Sequence, residues 1–76
     1  MLSLKEKQDF VNELTKVFNL DPKHQINKIE IDENGLYRRY AFVTIENKDG
    51  TVRCEKILDA SYQAIYRSLG NIIWND

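Results

Sequence analysis

The stretch Leu36 to Ile45, LYRRYAFVTI, reads as the central strand of a small antiparallel sheet. Most of its positions are β-branched or aromatic, and successive side chains of a strand face opposite sides. Glu33-Asn34-Gly35 precedes it and Asn47-Lys48-Asp49-Gly50 follows it. Each turn signal ends in glycine, which takes positive φ in tight hairpins without a Cβ penalty. The strand therefore has a neighbour on each side.

Upstream, Ile29 and Ile31 alternate with Lys28, Glu30 and Asp32, the mark of a short strand with one dry face. With Gly35 at a bulge, Ile31 pairs with Tyr37, and the dry face continues through Ala41, Val43 and Ile45. A two-residue Asn34-Gly35 turn would set Ile29 beside Tyr40 instead. The first register is preferred because it groups the aliphatics, although it brings Arg39 to the same face. Downstream, a four-residue loop sets Ile45 opposite Val52 and Val43 opposite Cys54. The third strand, Thr51 to Ile57, carries Arg53, Glu55 and Lys56, as suits an outer strand.

Helices flank the sheet. Ser3-Leu4-Lys5-Glu6 is a capping box, and Phe10, Val11, Leu14, Val17 and Phe18 recur behind it at helical spacing. Lys5, Lys7, Asp9, Asn12, Glu13 and Lys16 fall mostly on the other side. Asp21-Pro22 ends the pattern, so the first helix runs from about Ser3 to Asn19. Asp59 caps the second, whose stripe is Tyr62, Ile65, Tyr66 and Leu69, with Gly70-Asn71 as its stop signal. Ile72, Ile73 and Trp74 follow as an apolar segment that docks on this core or on another chain.

The order is α-β-β-β-α, an α+β fold of two layers: a three-stranded antiparallel meander with both helices on one face. The 76 residues form a single domain, 1–76, with no repeat or linker. This order of elements resembles the double-stranded-RNA-binding domain, in topology only. That family's basic cluster at the start of the second helix would fall at Asp59-Ala60-Ser61-Tyr62-Gln63, which has no lysine or arginine, and its Gly-Pro-x-His loop is missing. The resemblance implies the fold without carrying the RNA-binding function.

Eleven basic and twelve acidic residues give a net charge of -1, with the signs interspersed, so no basic field for nucleic acid or anionic membrane exists. The 42% hydrophobic content is that of a globular protein, but no apolar run reaches membrane-spanning length. At this size only about 60% of the unfolded surface can be buried. Cys54 is the single cysteine, so the domain holds without an intramolecular disulfide. The expected product is a complete small reading frame in the cytoplasm, phage- or mobile-element-encoded.

No catalytic, metal or cofactor motif stands out. His24 is the only histidine, in a polar connector, and reads as solvated. Cys54 reads as a buried small hydrophobe, and Glu30, Asp32 and Glu33 as a solvated rim. The one constellation with content is the sheet face away from the helices. Arg38, Tyr40 and Phe42 are expected there, flanked by Lys28 and Glu30 on one side and Arg53 and Glu55 on the other. The bland reading is that these rings merely shield the sheet. The functional one is a contact surface, since tyrosine and arginine are enriched at binding hot spots. The expected function is a non-enzymatic accessory protein that binds a protein partner or a second copy of itself. Its contact residues would be Arg38, Tyr40, Phe42, Arg53 and Trp74. A nucleic-acid-binding module is the alternative, ranked lower for want of basic excess.

Overall fold

The computed structural model describes residues 2–33 and 39–75. In chain order these form α1 (Leu4–Phe18), β1 (Ile26–Glu33), β2 (Tyr40–Asn47), β3 (Val52–Leu58) and α2 (Tyr62–Trp74). The strands make one antiparallel sheet in the order β1-β2-β3. Ile29, Ile31, Ala41, Val43, Ile45 and Ile57 turn to one side of it, and there they share a core with Val11, Leu14, Phe18, Ile65, Leu69 and Ile73 of the helices. Both helices thus cover the same face. The α-β-β-β-α order and the two layers are as the sequence indicated.

The strand pairings differ from the sequence reading. Ile31 pairs with Val43 and Ile29 with Ile45, so the partner of Ile31 lies six residues beyond the expected Tyr37. The two-residue-turn alternative, Ile29 beside Tyr40, fails for the same reason. The observed register sets aliphatic against aliphatic and leaves Arg39 exposed in a turn before β2. Because side chains repeat every two residues, a slip of six preserves which face each residue takes. The expected turn residues Asn34 and Gly35 and the strand start Leu36, Tyr37 and Arg38 lie outside the described residues.

The second hairpin differs by one residue, which does invert a face. Its loop is Lys48-Asp49-Gly50: Asn47 donates to the Thr51 carbonyl at 2.9 Å, and Gly50 to the Asn47 carbonyl at 3.1 Å. Gly50 has φ 92, the positive value that the last position of such a three-residue loop requires. The Asp49 carboxylate accepts from the Thr51 amide at 2.9 Å and its hydroxyl at 2.6 Å, bracing the turn. Ile45 therefore faces Arg53, not Val52, and Val43 faces Glu55, not Cys54. Ile57 goes into the core and Cys54 comes out to solvent, so the reading of Cys54 as buried is corrected.

The edge of β1 is closed by two amides from the α1 region. Gln8 donates to the Ile29 carbonyl and accepts from the Ile31 amide, both at 2.9 Å. Asn19 does the same for Ile26, at 2.8 and 2.6 Å. Each side chain imitates a neighbouring strand's peptide group, which blocks edge-to-edge pairing there.

Ser3 caps α1, accepting from the Glu6 amide at 3.1 Å, and Asn19 closes it. α2 is capped by Ser61, which accepts from the Ala64 amide at 3.1 Å, and not by Asp59. It also runs past Gly70-Asn71 instead of stopping there. The Trp74 ring lies against Gly70 from one turn on, where a Cβ would make ordinary van der Waals contact at 3.4 Å. Ile72, Ile73 and Trp74 are the last turn of the helix, with Ile73 buried. Phe18, fully buried, meets Trp74 edge-on at 5.0 Å and Tyr66 in a stack at 6.4 Å.

Phe18 joins α1 to α2, so its truncation should be felt by both helices. Phe18→Ala should cost about 3–5 kcal/mol, enough to unfold most of a marginal domain. Chemical denaturation reads this directly, and a midpoint that barely moves would remove the ring from the core.

Candidate functional site

Among the described residues nothing covers the second face of the sheet. From Lys28 on, the even-numbered residues of the strands lie there in cross-strand rows set by the two registers, whereas Ile26, before a register shift in β1, is in the core. One row is Asp32, Phe42 and Lys56; the next is Glu30, Thr44 and Cys54; a third is Lys28, Glu46 and Val52. Tyr40 stands beside Leu58 at the other end. Tyr40, Val52 and Leu58 are exposed, Val52 to 59%, and Phe42 is half-buried. The Lys56 ammonium lies 4.8 Å from the centre of the Tyr40 ring, a cation–π contact. Thr44 Oγ1 and Cys54 Sγ are 3.4 Å apart.

Charges on this face are partly spent on each other. Lys28 meets Glu30 at 3.0 Å, and that hydrogen bond, the Glu30 charge and the Glu46 charge hold its pKa above the ordinary lysine value. Asn27 donates to the Glu46 carboxylate. Asp32 makes no ion pair among the described residues.

The five expected contact residues do not converge. Tyr40 and Phe42 share the uncovered face as read. Arg38 lies outside the described residues. Arg53 belongs to the opposite face: it pairs with the buried Ile45 and donates to the Ile72 carbonyl of α2 at 3.1 Å. Glu55 goes with it, and their places on the uncovered face fall to Cys54 and Lys56. Trp74 sits in the helical layer against Phe18 and Tyr66, with 41% of its surface still exposed.

Lys7 was missed. It is buried, and its ammonium lies 2.7 Å from Asp59 Oδ2 and 2.8 Å from Glu33 Oε1. Asp59 is buried as well, while Glu33 is nearly half exposed. Desolvation alone would lower the lysine pKa; the hydrogen bonds and charges of Asp59 and Glu33 outweigh it, so the pKa is raised. A signal for this existed: Lys7, Val11, Leu14 and Phe18 fall at the 4-3-4 spacing of a buried helical stripe. The three groups come from α1, the end of β1 and the β3–α2 connection. Lys7 and Asp59 are enclosed, Glu33 closes the cluster from the rim, and every member is paired, which suits a structural clamp.

A cleft of about 500 Å³ lies between residues 22–25, the second hairpin and the end of α2, and it gathers Lys23, His24, Lys48 and Arg53. His24 is half-buried in its connector, and its Nδ1 lies 2.7 Å from Asp21 Oδ2. That contact, with the Lys23 amide, holds the Asp21 carboxyl below its ordinary pKa. Lys48 reaches Gln25 at 3.3 Å and Arg53 the Ile72 carbonyl, so several of the cleft's donors already tie the chain to itself. Among the described residues, no group of three or more histidine, cysteine or carboxylate side chains could hold a metal ion. No described helix is long and apolar enough to cross a membrane.

Comparison with protein-family models, with curated proteins and with solved structures finds no match to this chain. The uncovered face is therefore read on its own geometry.

The clamp makes a prediction. Lys7→Met leaves the Asp59 charge buried and alone and should cost about 3–5 kcal/mol, while adding Asp59→Leu should return most of it. Because the folded lysine pKa is raised, the clamp's contribution is whole below 10.5 and is lost as pH climbs through the higher folded value. Urea midpoints across that alkaline range should fall further for the native chain than for the double variant.

Proposed function

We propose that this chain is a non-enzymatic interaction protein whose contact surface is the uncovered face of its sheet, with Tyr40 and Phe42 as anchors. The observation that carries the reading is the adjoining set of Tyr40, Phe42 and Leu58 on a face that no described helix covers. Large apolar side chains gathered on one face are costly to leave in water, and aromatic residues bind strongly when a partner encloses them. The Gln8 and Asn19 amides across the β1 edge favour the face over strand addition at that edge.

Charge supports a protein partner over nucleic acid. Among the described residues the face carries Glu30, Asp32 and Glu46 against Lys28 and Lys56, which makes no basic field for a phosphate backbone.

Replacing Tyr40 and Phe42 together with threonine keeps strand propensity and removes the anchors. The double variant should keep its circular dichroism spectrum and a cooperative melt. It should lose protein contacts that the native chain makes in affinity capture from its host and in self-association. Capture abolished by nuclease would favour the nucleic-acid reading. Loss of folding would put the rings in the core.

A further inference from the structure

The row Asp32, Phe42, Lys56 runs straight across the sheet as acid, aromatic and base. A two-fold axis parallel to the strands, running beside Phe42, reverses such a row. It lays Asp32 of one copy over Lys56 of the other, twice, and the two Phe42 rings over each other. We infer that the partner of the uncovered face is a second copy of this chain, stacked sheet on sheet about such an axis. The inference rests on the contact surface proposed above and names its occupant.

The geometry of stacked sheets suits this arrangement. Two sheets pack face to face about 10 Å apart with strands nearly aligned, and a lysine and an aspartate together bridge that gap. The neighbouring row brings Glu30 over Cys54, so no like charges oppose there. At the far end Glu46 meets its own copy, but it is already held by Asn27 and lies close to Lys28. An isologous interface needs one self-complementary patch, and the Asp32–Phe42–Lys56 row is self-complementary because its ends carry opposite charge. Three short strands offer an area at the low end for specific interfaces, so the dimer should be weak and concentration-dependent.

The test is sedimentation over roughly 10 to 500 μM, the range suited to a small interface. The native chain should pass from the mass of one chain to that of two. Asp32→Lys makes the row all basic at its ends and Lys56→Asp makes it all acidic, so each alone should stay monomeric. Mixed one to one, they should form a heterodimer, and the chain carrying both changes should dimerise again. Both exchanged positions, Asp32 and Lys56, are exposed, and recovery in the mixture excludes misfolding as the cause of loss. A native chain that stays monomeric throughout overturns the inference, and capture by the native but not the Tyr40→Thr, Phe42→Thr variant then still decides the wider reading. A dimer indifferent to the charge changes also overturns it.

Discussion

The Lys7 ammonium, enclosed between Asp59 at 2.7 Å and Glu33 at 2.8 Å, joins the first turns of α1 to the end of β1 and to the connection entering α2. A charge buried that deeply is tolerated only with its partners in place, so the three segments must arrive together. That requirement holds the start of both helices to one end of the same sheet face. At the opposite end Phe18, Tyr66 and Trp74 close the layer with aromatic contacts, and Phe10 meets Tyr62 at 4.6 Å nearer the clamp. Fixed at both ends, the helices bury one side of the sheet and leave the other.

A sheet covered on one side turns register into function. Alternation gives every residue of β2 a side, and the hairpin loops decide which residues of β1 and β3 join it. The positive φ of Gly50 and the Asp49 brace set a three-residue loop, and through that loop Cys54 and Lys56 reach the uncovered face while Arg53 is turned toward α2. The same face that carries the aromatic rings also carries separated charges, the feature by which the proposed contact surface would discriminate among partners. Gln8 and Asn19 meanwhile close the β1 edge, so the sheet has a free face without a free edge on that side.

Much of the fold was legible because it rests on local rules. Ser3 capping, the Phe10-to-Phe18 stripe and the alternation of Ile29 and Ile31 each declare an element within a few residues. The faces of β2 were legible too, because Ala41, Val43 and Ile45 alternate with Tyr40, Phe42 and Thr44 whatever their partners. Pairing was not, because Ile31 can meet either Tyr37 or Val43 with the same face buried, and only the Arg39 position separates them. The face of β3 was misread because its residues alternate weakly: Val52 and Cys54 look as buriable as Ile57, and one residue of loop length decides. Asp59 was read as a cap since aspartate before a helix usually is one; its true partner, Lys7, is 52 residues away. Gly70 was read as a stop because glycine followed by asparagine often ends a helix, whereas here burial of Ile73 carries the helix on.

Cys54 offers the most direct measurement of the central claim, since it is the single thiol and lies within the uncovered face beside Thr44. Its rate of reaction with a disulfide reagent can be followed in the native state across a range of protein concentration. In dilute protein the thiol should react nearly as fast as in the unfolded chain, and the rate should fall as concentration rises and a second copy covers the face. A thiol slow at every concentration would contradict the β3 register, and one fast at every concentration would contradict the pairing of sheet faces.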